Sequence, residues 1–134
     1  MEITGKQYKD LFFLGAIWNV VLGLGSLTFF RLSMRMLFGK SGMTNKLTAT
    51  LPLRFFYIAI AIFGWGYYMV SKDLKQNRGI IKMGVVAKLI IFICFVYYWI
   101  QKKLTFFPVM LASVDVAFSA LFTYFLRDER FKKD

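Results

Sequence analysis

The chain contains no histidine and a single cysteine, and these shortages remove whole classes of chemistry. Haem ligation through histidine, a histidine-based zinc site and an internal disulfide are excluded, and no cofactor is expected. Without histidine, the acid and base candidates reduce to Asp115, Lys88 and the tyrosines, and no serine stands at a recognisable spacing from a base. Acidic side chains are scarce as well: seven Asp and Glu stand against 18 Lys and Arg, a net charge of +11. In a soluble protein that surplus points to nucleic acid. Here the bases flank apolar runs, where they ordinarily meet lipid headgroups, so membrane lipids and not nucleic acid are the expected partners. Cys94 lies among Ile and Phe and reads as a small apolar filler.

What the chain has in abundance is apolar surface. Of its 134 residues 58% are hydrophobic and 19% aromatic, too little polar surface to cover a soluble domain of this size. A bilayer removes the difficulty. Residues 11–30 form a run in which only Asn19, Ser26 and Thr28 are polar, matching the ~20 residues that cross hydrocarbon as a helix. The basic Lys6 and Lys9 before it imitate a signal peptide, but the run is too long and no A-x-A site follows, so it is expected to be retained. Further runs cover 53–70, 80–100 and 104–126. Pro52 is suited to a first helical turn and Arg54 to snorkelling. Trp65, Tyr67 and Tyr68 read as one interfacial belt and Tyr97, Tyr98 and Trp99 as the other.

These runs predict an all-α fold, an integral membrane bundle of four antiparallel helices in one domain, residues 1–134, with no internal repeat. The segment 29–38, FFRLSMRMLF, mixes large apolar residues with Arg31 and Arg35. It reads either as an amphipathic helix in the headgroup plane or as the frayed end of the first span. Four spans place both termini on one side. Ten bases fall on that side and seven on the other, with six of the seven acids sharing the terminal side. The count favours termini in the cytoplasm of a bacterial inner membrane.

One ammonium lies inside the third run, MGVVAKLIIF at 83–92. A lysine or aspartate near the centre of a span costs roughly 2.5–3.5 kcal/mol on insertion scales, so Lys88 needs a partner. With a turn centred on residue 102, Lys88 lies 14 residues before it and Asp115 lies 13 after it. At about 1.5 Å of rise per residue the two reach the same depth. Asn19 lies eight residues into the first run and Lys88 eight into the third, which completes a polar layer of Asn19, Lys88 and Asp115. Two readings of that layer stay open: a mutually neutralising pair that pins two helices together, or the lining of a cavity in which Asp115 changes protonation or binds a substrate group. Glycines 15, 23, 25, 64 and 66 are expected to let helices approach closely.

The stretch 66–90, GYYMVSKDLKQNRGIIKMGVVAKLI, resembles small four-helix bacterial membrane proteins of loosely DoxX-like appearance. The resemblance is carried by Gly66, Tyr67, Lys72-Asp73, Gly84 and Lys88, with Asn19 in the first span and Asp115 in the fourth. Leu74 stands where the group usually has Pro, Ala87 where it has Gly, and Val114 where it has Asn. The resemblance implies the four-helix architecture and the shared polar layer, and it supplies no reaction. The expected role is a noncatalytic membrane component or binding subunit, associating with itself or with other membrane subunits. A small proton-linked transporter is the alternative, and a membrane enzyme acting on lipid or quinone comes third.

Overall fold

Helix formation follows the apolar runs with shifted ends: the first and second spans begin ahead of their runs, and the fourth begins at Phe107 and not at 104. The computed structural model describes residues 2–44 and 46–132, and five α-helices account for most of these: α1 (Gly5–Thr28), α2 (Phe30–Phe38), α3 (Leu47–Lys72), α4 (Arg78–Ile100) and α5 (Phe107–Arg127). Among the described residues there is no strand. Four of the helices, α1, α3, α4 and α5, are long and apolar enough to cross a membrane, and the chain is a multi-pass membrane protein.

The first helix starts six residues ahead of its apolar run because Thr4 and Gln7 form a capping box. Thr4 Oγ1 accepts from the Gln7 amide at 3.2 Å, and Gln7 Oε1 accepts from the Thr4 amide at 2.8 Å, which satisfies two of the donors that a helix start leaves orphaned. Segment 29–38 is neither a smooth continuation of α1 nor a frayed end. Phe29 (φ −102°, ψ 52°) leaves helical geometry, and a separate α2 follows. Phe30 and Met34 of α2 are buried while Arg31 and Arg35 are exposed, the i, i+4 division of an amphipathic helix. The α3 helix begins at Leu47, so Pro52 is its sixth residue and not part of the first turn; the ring removes one backbone donor inside the helix. The Arg54 guanidinium lies over the Phe30 ring, 4.0 Å from the centroid.

α1 packs along α3, and α4 packs along α5. The first pair depends on two missing side chains. A Cβ on Gly23 would lie 2.6 Å from the Tyr57 carbonyl oxygen and 2.8 Å from the Ala61 nitrogen, and one on Gly64 would lie 3.0 Å from the Ala16 carbonyl oxygen. Backbone therefore meets backbone across the pair, the close approach that glycine permits in membrane helices.

The two ends of the bundle are filled differently. At the terminal end, Tyr8 and Phe12 of α1 interlock with Phe122 and Phe125 of α5, with ring centroids 4.8–4.9 Å apart. Tyr67 of α3 joins this cluster 5.1 Å from Phe122. Tyr67 is 0% exposed, so it is no part of an interfacial belt; Trp65 and Tyr68 beside it are exposed. The connection between α3 and α4 also contributes to this end, since Leu74 is buried. A smaller apolar cluster at the other end holds Phe30 and Met34 of α2 against Tyr57 of α3.

A C-terminal clasp ties the terminal end together. Arg130 pairs with Glu2 and Asp128, both at 2.7 Å, and Arg78 donates to the Leu126 and Phe131 carbonyl oxygens, each at 2.8 Å. The Arg130 hydrogen bonds hold the Asp128 carboxyl down at about 2, against an ordinary 3.8.

Two outcomes are expected. Gly23→Ala and Gly64→Ala should each lower thermal stability in detergent by roughly 1–3 kcal/mol, the cost of overpacking a tight contact, whereas Gly25→Ala, with nothing within 4 Å of its Cβ position, should leave the melting temperature within error. For Asp128 the folded carboxyl titrates below its unfolded value, so the clasp contributes fully above about pH 3.8 and is lost as the pH falls through about 2. Protection of the amides at residues 2–8 and 126–132, taken relative to their intrinsic exchange rates, should fall across that window, and Asp128→Asn should reduce this pH dependence.

Candidate functional site

The hairpin of α4 and α5 turns where the depth argument requires it. Lys102 adopts φ 59°, and the chain reverses through residues 101–106 before α5 starts with Pro108 near its first turn. This longer connection keeps Lys88 and Asp115 level. They form an ion pair through Lys88 Nζ and Asp115 Oδ1. Lys88 Nζ also donates to Asn19 Oδ1 at 3.1 Å. All three residues of the layer read from the sequence therefore come together.

Asn19 is placed by the glycine contact of α1 with α3, since Gly64 lies against Ala16 and Val20 on either side of it. Its Nδ2 donates to the Ile60 carbonyl oxygen of α3 at 3.3 Å. A fourth member escaped the sequence reading. Trp18 Nε1 donates to Asp115 Oδ1 at 3.2 Å, so α1, α3, α4 and α5 all meet in one network. The ammonium also lies 5.5 Å from the Tyr67 ring centroid and 5.9 Å from that of Phe118, close enough for the ring faces to attract it. Lys88 is 7% exposed.

This network sits at the inner end of a cavity of about 650 Å³ between the two helix pairs. The volume falls inside the roughly 300–1,000 Å³ typical of small-molecule sites. Its walls are apolar side chains from every helix, among them Leu22, Ile60, Ile91, Phe95 and Leu111, with Leu32 of α2 at the end away from the network. On α4 the lining runs from Gly84 to Phe95, about 16 Å along the axis at ~1.5 Å per residue. Two polar bonds stiffen the far end: Tyr57 Oη donates to Ser33 Oγ of α2 at 2.9 Å, and the Thr105 amide donates to the Leu37 carbonyl oxygen at 2.8 Å. Cys94, expected as a packed filler, is exposed and stands on the cavity wall.

Tyr67 of α3 and Gly84 of α4 also line this end of the cavity. Gly84 abuts Tyr67 so closely that a Cβ would lie 2.2 Å from the phenol oxygen, and Lys88 is one turn further along the same face of α4. Tyr67 was legible in the sequence as one of three neighbouring aromatics and as a position of the resemblance, not as a neighbour of the charged layer. Its pairing with Gly84 across helices has no local signal.

Comparison of the chain with protein-family models, with curated proteins and with solved structures finds no match.

Lys88→Ala and Asp115→Ala should each destabilise the protein by about 3–5 kcal/mol, because either change strands a buried charge. The double replacement Lys88→Met with Asp115→Leu should cost less than either single change, and the exchange Lys88→Asp with Asp115→Lys should recover part of the loss. Thermal unfolding of the five proteins in one detergent checks the ordering.

Proposed function

We propose that this membrane protein is a noncatalytic binding component that holds one hydrophobic molecule in the cavity between its helix pairs. It resides in a bacterial inner membrane with both termini in the cytoplasm, and its relation to DoxX-like proteins is one of architecture. The observation that carries the reading is the joining of an apolar chamber of about 650 Å³ to a single charged end. Apolar walls with a few convergent polar groups are the usual make-up of a ligand site.

The bonding of the charged end favours retention over transport. Asp115 Oδ1 accepts from both Trp18 and Lys88, so the carboxylate is tied to α1 and to α4 at once. A carboxylate bonded from two sides is held in one place and is not left free to move between partners. It serves instead as a fixed polar end against which a bound molecule registers. Other membrane subunits, or a second copy of the chain, are the recipients or sources of that molecule.

The test is native mass spectrometry of the protein released from nanodiscs, paired with proton-flux measurements in proteoliposomes. One hydrophobic molecule should copurify and remain chemically unaltered on incubation, and Ile91→Trp should expel it from a protein that still melts cooperatively. Proton flux that depends on Asp115 would establish the carrier instead. Conversion of a bound lipid or quinone on incubation would establish an enzyme. Absence of any copurifying molecule, with no flux and no effect of Ile91→Trp, would remove the binding reading.

A further inference from the structure

The inner end of the chamber holds more hydrogen-bonding capacity than the protein itself uses. Tyr67 is 0% exposed and lines the chamber, yet its hydroxyl has no hydrogen-bond partner among the described residues. A buried hydroxyl in that condition costs free energy unless something satisfies it. Lys88 has three N–H donors, of which Asn19 and Asp115 take two. Asp115 receives both of its bonds on Oδ1, and its side chain keeps 19% exposure. Unspent donors and acceptors thus stand together at one end of an apolar chamber.

Charge decides what they can receive. Lys88 and Asp115 balance each other, and every other ionisable side chain on the chamber wall is a thiol or phenol: Cys94, Tyr57 and Tyr67. A phosphate or carboxylate brought to this end would add an uncompensated negative charge in hydrocarbon, and an amine an uncompensated positive one. A neutral head with an oxygen meets no such penalty. The chamber is about 16 Å long by helix rise, which fits one extended chain behind that head.

Resting on the binding function proposed above, we infer that the ligand is a neutral single-chain lipid with a hydroxyl or carbonyl head, which enters the chamber head first and hydrogen-bonds Tyr67 and Lys88. Gly84 is the positioning residue for this contact. It leaves room for the phenol oxygen at a point where a Cβ would lie only 2.2 Å away, so Gly84→Ala would push the hydroxyl off its station.

The experiment uses the full chain in phosphatidylcholine nanodiscs and four probes that share one chain: farnesol, its hydrocarbon farnesane, farnesyl phosphate and farnesylamine. Occupancy is read from protection of Cys94, the only cysteine, against N-ethylmaleimide, and from thermal shift. Farnesol should protect at concentrations about threefold to tenfold lower than farnesane, the worth of one hydrogen bond, and the phosphate and amine should protect less than farnesol. Tyr67→Phe should remove the advantage of farnesol over farnesane while leaving the melting temperature of the empty protein unchanged or higher, since it deletes an unpartnered hydroxyl. Gly84→Ala should also narrow that advantage. Preference for the phosphate or the amine, or a farnesol advantage that survives Tyr67→Phe, would overturn the assignment of the head while leaving chamber binding intact. If none of the four protects Cys94 or shifts the melt, the binding function itself falls.

Discussion

A lysine inside a hydrocarbon-spanning helix has to be neutralised and hydrogen-bonded from neighbouring helices, because no water is present to do so. That requirement organises the bundle. Asp115 answers the charge of Lys88 from α5, Asn19 answers one of its N–H donors from α1, and Asn19 is itself anchored to the backbone of α3 at Ile60. Trp18 then donates to the same carboxylate oxygen. One ammonium group thereby sets the relative heights of four helices. Apolar packing alone specifies such heights poorly in a membrane, where lipid tails compete with side chains on equal terms.

The network also separates two regimes of packing. On its terminal side, Tyr8, Phe12, Phe122 and Phe125 fill the space between α1 and α5, and the Arg130 clasp ties the chain ends over them. On its other side the helix pairs leave a chamber, and α2 supplies part of the distant wall. α2 takes up that position because its Phe30 and Met34 face inward while Arg31 and Arg35 do not. Thr105, in the connection between α4 and α5, bonds its last turn. An apolar chamber with a polar end thus results from filling one half of a bundle and not the other. Its polar end is formed by four side chains at the boundary: Asn19, Lys88, Asp115 and Tyr67.

The glycines divide along the same line. Gly23 and Gly64 serve the contact of α1 with α3 within the chain, so their close-approach surface is already occupied by the protein's own backbone. Gly84 serves the chamber, where the absent side chain makes room for the Tyr67 hydroxyl. The same residue type meets two needs, and only the identity of the facing atom tells them apart.

The four long helices and the common depth of Asn19, Lys88 and Asp115 were legible in the amino-acid sequence, and α2 was legible as one of two readings of residues 29–38. The reason is that hydropathy and helix rise act along the chain, where spacing is directly visible. Other features were decided only by tertiary structure. Tyr67 left an expected interfacial belt for the core, Trp18 joined the charged network, Pro52 fell inside a helix, and Cys94 came to stand on a cavity wall. Each depends on which way a helix is rotated and on what faces it from another helix. In a span that is apolar all round, the sequence carries almost no signal for rotation. The chamber belongs to this second class, because an unfilled volume is a property of several helices together and is written in none of them.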